Sequence, residues 1–214
     1  MWALLAAIVI NLSIVLICDN LARKKNISDE LSRKIPHTVT ALSYVLLVFL
    51  IDIRLLTYAA TASMIGAVIA HKFNLFAHAR RVERKTWGEF FFPAAVIASS
   101  LLTNNKWVFA AAILHLGIAD TLAALIGQKY GRKHTYKIAG HTKTLAGSLA
   151  FWLTSLLITA LALQQLDVSA QIFWPTIFWL PLTLTVAENA GVYGLDNLTV
   201  PLLAVATLNS LQFI

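Results

Sequence analysis

A carboxylate lies inside an apolar run of this chain, and a basic stretch with interspersed glycines follows it. Asp120 comes after the mostly apolar residues 107–119, and residues 127–143 hold five lysines or arginines, two histidines and three glycines. Glycines let backbone amides approach an anion, and ammonium groups supply positive charge. Because magnesium bridges carboxylates and phosphate oxygens, this combination predicts a site for Mg²⁺ and a nucleotide.

The basic stretch ends where the next apolar segment begins. Lys143 stands there between Thr142 and Thr144. The first turn of a helix presents free amide groups and the positive end of the helix dipole, so we expect a phosphate group to bind at this point. The alternative is an ordinary basic loop on the inner side of a membrane, which needs no ligand.

Two further acidic residues approach from the C-terminal part of the chain. Glu188 ends one apolar segment, and Asp196 with Asn197 begins the last one, across a turn that contains two glycines. Helix capping alone could explain Asp196 or Asn197. Together with Asp120, however, the acidic positions Glu188 and Asp196 predict a metal site.

The composition shows what kind of element carries these residues. Of the 214 residues 58% are hydrophobic and 13% are charged, and the apolar residues form runs near the length that spans a membrane. We therefore predict an all-α membrane helix bundle in a single domain, residues 1–214, with the first run as a retained helix. The predicted spans, about eight with a range of seven to nine, are residues 2–18, 35–52, 55–71, 88–103, 107–128, 144–164, 172–189 and 196–214.

The basic residues predict the orientation of the bundle. Loops after the first, third and fifth segments hold Arg23, Lys24, Lys25, Arg33, Lys34, Lys72, Arg80, Arg81, Arg84, Lys85, Lys129, Arg132, Lys133, Lys137 and Lys143. The alternate loops hold only Arg54 and Lys106. By the positive-inside rule the basic loops are cytoplasmic and the N-terminus is outside. The rule also accounts for the net charge of +7 without nucleic acid as a partner.

The depth of Asp120 indicates that it faces something other than lipid. It lies about eight residues, or ~12 Å, from the inner end of its segment. An ionised carboxylate facing lipid there would cost at least ~2.5 kcal/mol. Ala119, Ala123 and Gly127 on the same helix would let other helices pack closely, which predicts a central position. An ion pair that serves packing only remains the alternative.

Five stretches resemble motifs of the polyprenol kinase family, which contains dolichol kinase, phytol kinase and CTP-dependent diacylglycerol kinases. In chain order they are RKIPHTV, RKTWGEFFFPAAV, IADTLAALIGQKYG, HTKTLAGSLA and ENAGVYGLDNLTVPLLA. They occur in the order of the family and extend from Arg33 to Pro201. The KTWGEFFFP stretch is similar to the phytol kinase branch. The chain departs from the family pattern at Ala119, Thr142 and Ala146, which replace a glycine, a lysine and a glutamate.

The resemblance implies a kinase that transfers the γ-phosphoryl group of CTP to a lipid alcohol such as phytol, geranylgeraniol or a polyprenol, at the cytoplasmic membrane face with Mg²⁺. It implies catalytic roles for Asp120, Lys143 and Asp196, and metal binding by Asp120, Glu188 and Asp196. The implied nucleotide-binding residues are Arg33, Lys34, Lys129, Gly131, Lys137, His141, Thr142, Thr144, Gly147 and Ser148. The implied substrate-binding residues are His37, Lys85, Glu89 and Asn197.

Two other functions fit part of the pattern. A cytidylyltransferase that forms a CDP-lipid would also use acidic residues and a basic loop, but its closely spaced acidic, glycine-rich C-terminal box is not found in this sequence. A proton-coupled transporter could use Asp120, but it would need ionisable groups along a path to both faces. The outer half of the predicted bundle has almost none.

Overall fold

The computed structural model describes residues 2–25, 29–73, 87–138 and 140–211. Eight helices cover most of this part of the chain. They are α1 (Trp2–Lys25), α2 (Asp29–Leu50), α3 (Ile53–Lys72), α4 (Gly88–Leu102), α5 (Lys106–Tyr130), α6 (Leu145–Gln165), α7 (Ala170–Ala190) and α8 (Asp196–Ser210). Two short strands, β1 (Thr135–Ile138) and β2 (His141–Thr144), lie between α5 and α6.

The predicted all-α membrane bundle is confirmed, and a helix lies on each of the eight predicted apolar segments. Within the described residues, four helices are long and apolar enough to cross a membrane: α3, α5, α6 and α7. The count of eight spans and the outside N-terminus stay predictions.

Helix α5 occupies the centre of the bundle. In its most apolar window 61% of the residues are buried, against 28–39% in the other three long apolar helices. One side of α5 contributes Phe109 and Ile113 to a core shared with α1 to α4, and another side contributes Val108 and Ala112 to a core shared with α6 to α8. The central position predicted from the small residues is thus observed.

A π-helical segment, His115–Ala119, interrupts α5 immediately before Asp120. The amide of Asp120 donates to the carbonyl of His115, five residues back, so one extra residue is accommodated in the turn. Helix α2 packs closely here, because a Cβ on Gly117 would lie 2.3 Å from the Cβ of Ala41. The extra residue shifts the helical phase of the residues that follow it, Asp120 included.

Strands β1 and β2 form an antiparallel hairpin, a structure that the sequence pattern did not predict. Thr135 pairs with Thr144, and Ile138 pairs with His141. Gly140, at φ +80°, adopts a backbone conformation that other residues rarely take. The amide of Leu145 donates to the carbonyl of His134 at 3.0 Å, so the base of the hairpin is closed where α6 begins.

Candidate active site

Polar residues from α2, α5, α6, α7, α8 and the hairpin line a cavity of about 500 Å³ at one end of the bundle. The end of α5, the start of α6, the end of α7 and the start of α8 meet there. The lining residues include Arg33, Lys34, Asp120, Ala123, Ala124, Gly127, Gln128, Arg132, Thr135, Thr142, Lys143, Thr144, Gly147, Ser148, Glu188, Gly191, Gly194, Asp196 and Asn197.

Three carboxylates meet inside this cavity. Asp120, Glu188 and Asp196 each place a carboxylate oxygen within 4.8 Å of the other two. Asp120 and Glu188 are buried, and Asp196 is partly exposed. A close approach of backbone supports this grouping, because a Cβ on Gly191 would lie 2.5 Å from the Cβ of Asp196. The tight turn between α7 and α8 therefore brings Asp196 back towards Glu188.

Each of the two buried carboxylates has a lysine partner from a distant part of the chain. Lys34 donates a hydrogen bond to Asp120, and both side chains are only 10% exposed. Lys143 donates to Glu188 Oε1 at 2.5 Å and to the Glu188 carbonyl at 3.1 Å. In this way α2 and the hairpin each contribute one cation to the acidic cluster.

The donor set fits a magnesium ion that also contacts phosphate. Magnesium prefers oxygen ligands, keeps several waters, and is often held by one or two carboxylates with substrate phosphates. With all groups ionised, three carboxylates and two ammonium groups leave the described cluster with one net negative charge. Asp120, Glu188 and Asp196 could hold the metal while the lysines turn to phosphate oxygens.

Close packing of α5 against α6 forms one wall of the cavity. A Cβ on Gly127 would lie 2.7 Å from Thr144 Oγ1, and a Cβ on Gly147 would lie 2.8 Å from the carbonyl oxygen of Ala123. Thr144 caps α6 by accepting a hydrogen bond from the amide of Gly147 at 3.1 Å. The amide of Leu145 donates to the His134 carbonyl, so two amides in the first turn of α6 already have protein partners.

The structure brings most of the predicted site residues into the cavity. Those that line it are Arg33, Lys34, Asp120, Thr142, Lys143, Thr144, Gly147, Ser148, Glu188, Asp196 and Asn197. Among the described residues, six predicted nucleotide- or substrate-binding positions do not line it: His37, Glu89, Lys129, Gly131, Lys137 and His141. Lys85 lies outside the described residues.

Local contacts explain why several of these residues do not line the cavity. Lys129 lies 5.1 Å from the ring centre of Tyr130. His37 packs edge-on against Phe92, with 4.6 Å between ring centres. Gly131 meets a steric requirement, because a Cβ there would lie 2.4 Å from the Cβ of Thr144.

Glu89 and His141 also contact neighbouring residues, and both contacts lie near the cavity end of the bundle but outside the cavity lining. Glu89 Oε1 is 2.8 Å from His71 Nδ1, between α4 and α3. His141 meets the ring of Tyr193 at 5.6 Å.

Sequence reasoning missed Gln128, Arg132 and Thr135 as lining residues. Helical spacing could have found Gln128, since Asp120, Ala124 and Gln128 follow each other at four-residue intervals on α5. Thr135 had no comparable signal, because its position depends on a hairpin that the sequence pattern did not predict.

Two known proteins are similar in sequence to this chain. The chain is 32% identical to phytol kinase of Synechocystis sp. over 145 residues, which cover 64% of the chain and 59% of the relative. It is 36% identical to dolichol kinase of Saccharomyces cerevisiae over 108 residues, 49% of the chain and 19% of the relative. The matched residues thus span less than two thirds of the length of each relative. No family model and no solved structure matches.

Proposed function

We propose that this integral membrane protein, a relative of the polyprenol kinases, transfers the γ-phosphoryl group of a nucleoside triphosphate to a lipid alcohol. The single observation that carries the proposal is the meeting of three carboxylates and two lysines in one cavity at the end of the bundle. Phosphoryl transfer depends on positioning and charge neutralisation more than on covalent chemistry, and this cluster offers both.

The location of the cavity suits a reaction between a lipid and a soluble nucleotide. The alcohol carries a chain that stays in the hydrocarbon, whereas the triphosphate stays in water. Asp120 lies in the cytoplasmic half of α5 by the predicted orientation, and the hairpin carries Lys143 beyond the helix end. A polar cavity between these two positions lets a hydroxyl and a γ-phosphate meet while the lipid chain stays in the hydrocarbon and the nucleotide stays in water.

The residues divide into two roles. Lys143 and Lys34 leave their carboxylates to bind phosphate oxygens, since an incoming triphosphate offers them more negative charge than one carboxylate does. Asp120, once released from Lys34, accepts the hydroxyl proton as the alcohol oxygen bonds to the γ-phosphorus and the bond to the bridging β-oxygen breaks. The products are a lipid monophosphate and a nucleoside diphosphate. Asp120, Glu188 and Asp196 would hold a magnesium ion through one oxygen each, which leaves the second Asp120 oxygen for the proton, and the ion would supply charge neutralisation to the triphosphate.

The finer assignment is CTP as donor and an isoprenoid alcohol as acceptor. Support comes from the family motifs and from the two relatives, whose names are phytol kinase and dolichol kinase. Phytol, geranylgeraniol and polyprenols share an allylic or primary hydroxyl on a branched apolar chain. Such a hydroxyl could reach Asp120 while the chain stays among the helices.

The test is a transfer assay on purified protein in detergent or liposomes. Each of CTP, ATP and UTP, labelled at the γ-phosphate, is supplied with magnesium and with phytol, geranylgeraniol, a polyprenol, diacylglycerol or phosphatidate in turn. The proposal predicts label in the lipid product, with the highest rate for CTP and an isoprenoid alcohol. Labelled pyrophosphate with an unlabelled CDP-lipid, formed from a phosphatidate-type substrate, would instead identify a cytidylyltransferase. No lipid labelling with any of the pairs would contradict a kinase.

A further inference from the structure

The hairpin is tied to the helices through the hydroxyl of one tyrosine. Tyr136 Oη donates to Asn189 Oδ1 at 2.9 Å and forms a short hydrogen bond with Ser148 Oγ. Ser148 Oγ also lies 2.9 Å from Asn189 Oδ1. Asn189 is 7% exposed, so the contact is shielded from water. The three groups form a closed polar triangle between β1, α6 and α7.

The strand register relates this triangle to the catalytic cluster. Tyr136 pairs directly with Lys143, so both side chains leave the same face of the hairpin. Lys143 contacts Glu188 while Tyr136 contacts Asn189, the next residue of α7. The cross-strand pair of Tyr136 and Lys143 therefore contacts two consecutive residues in the last turn of α7, Asn189 and Glu188.

Lys143 needs such support for its position. A two-stranded hairpin is at best marginally stable by itself, and each strand here has four residues. A lysine side chain is a flexible point charge with little geometric preference of its own. Thr135, Lys137 and Thr142 are exposed and give the hairpin little packing.

We infer that Tyr136 is a positioning residue that fixes the hairpin and thereby aims Lys143 at the triphosphate. The inference rests on the proposed function for the role of Lys143. Tyr136 does not line the cavity, so it acts through Lys143. Its hydroxyl also bonds to Ser148, a residue of the cavity lining.

A double-mutant cycle on triphosphate binding tests this role. The dissociation constants of CTP with magnesium are measured for wild type, Tyr136→Phe, Lys143→Ala and the double variant. Tyr136→Phe is expected to weaken binding about threefold to tenfold, the effect of one neutral hydrogen bond. In the Lys143→Ala background it is expected to change binding less than about twofold, because its effect passes through the absent lysine. Tyr130→Phe, on the exposed end of α5, is the matched control and is expected to bind like wild type.

Hydrogen exchange of the backbone amides of residues 135–144 provides a readout that does not depend on any activity. Tyr136→Phe is expected to speed exchange in the hairpin and leave the middle of α6 and α7 unchanged. Asn189→Ala removes the acceptor shared by Tyr136 and Ser148, and it is expected to speed exchange in the hairpin as well. This variant replaces Tyr136→Phe in the test should Tyr136→Phe fail to fold. Unchanged hairpin exchange, or a full effect of Tyr136→Phe without Lys143, would overturn the inference. Wild-type protein that binds no triphosphate would instead overturn the proposed function, and the exchange data would still decide whether Tyr136 anchors the hairpin.

Discussion

Asp120 and Lys34 are a buried ion pair in the candidate site, with both residues at most 8% exposed. Such a pair contributes little net stability, but breaking it strands a charge at a cost of about 3–5 kcal/mol. Asp120→Asn should therefore lower both activity and thermal stability. The double variant Lys34→Gln with Asp120→Asn should recover stability, since two neutral amides replace the pair, while transfer remains lost.

The expected loss of transfer activity in Asp120→Asn follows from the proposed role of Asp120 as proton acceptor. Losing a general base costs about 10²–10⁴-fold in rate. The measurements are the transfer rate and the midpoint of thermal unfolding in detergent. Asp52→Asn is the matched control, because Asp52 caps α3 through the amide of Arg54, far from the cavity lining. Normal turnover in Asp120→Asn would remove this residue from the mechanism.

Two lysines of the same basic stretch should differ sharply in their effect on triphosphate binding. Lys143 lines the cavity beside Glu188, whereas Lys129 lies over the ring of Tyr130. Lys143→Ala removes charge-assisted hydrogen bonds of about 1.5–3 kcal/mol each, so binding should weaken about tenfold to a hundredfold. Lys129→Ala should leave the dissociation constant within about twofold of wild type. Calorimetric titration with CTP and magnesium measures both, and equal effects would contradict the separation of these lysines.

The sequence was informative about which residues cluster and uninformative about how they pair. The depth of Asp120 and the positions of Glu188 and Asp196 at predicted segment ends were enough to expect one acidic group. The partner of Asp120 was not readable, because Lys34 is 86 positions away and any basic residue of the inner loops was an equal candidate. Residue type and depth are local properties, whereas pairing depends on how α2 is placed against α5.

At the scale of elements, the close approach of α5 and α6 shapes the cavity wall. Gly147→Ala would place a Cβ 2.8 Å from both the Ala123 carbonyl oxygen and Thr144 Oγ1, so the helices must separate. We expect a loss of about 1–3 kcal/mol in stability, as for overpacking elsewhere, together with weaker triphosphate binding. Thermal unfolding and titration with CTP are the measurements.

Gly66→Ala on α3 is the matched control for this helix contact. The nearest atom to its added Cβ would be Leu12 Cδ2 at 3.6 Å, an ordinary van der Waals distance. Alanine is also the better helix former, so stability should be unchanged or higher. If both alanine variants behaved alike, the tight contact at Gly147 would have no energetic consequence.

Helices were predictable and the two irregular elements were not, for a physical reason. A span must satisfy its backbone internally over about 20 apolar residues, and that requirement is visible in composition. The π-helical segment His115–Ala119 inserts only one residue into an apolar helix and leaves no compositional trace. The hairpin has two strands of only four residues each, and β2 is wholly polar, so the pattern is too short to indicate a strand pair. Its contacts with the helices, such as Tyr136 with Asn189, depend on the tertiary fold.

At the scale of the whole molecule, the two ends of the bundle differ in chemistry. The cavity end carries the acidic cluster, the lysines and the hairpin. The opposite end holds polar contacts that close helix ends, such as Arg54 bonded to Asn104 and Thr103 bonded to Asn209. A transporter would need ionisable groups towards both ends, so this asymmetry favours a reaction at one membrane face.

Because the cavity lies at one end of the bundle, the proposed function requires that this end face the cytoplasm, and this orientation can be tested. Cys18 is the single cysteine of the chain and is buried. In a Cys18→Ala background, a cysteine at exposed Lys137 should react with a membrane-impermeant maleimide only from the cytoplasmic side. A cysteine at exposed Asn104, between α4 and α5, should react only from the other side, and serves as the matched control. Right-side-out and inverted vesicles supply the two accesses. Labelling of Lys137→Cys from outside would place the cavity on the outer side of the membrane. Cytoplasmic nucleotide could not reach it there, and the proposed kinase reaction at the cytoplasmic face would be contradicted.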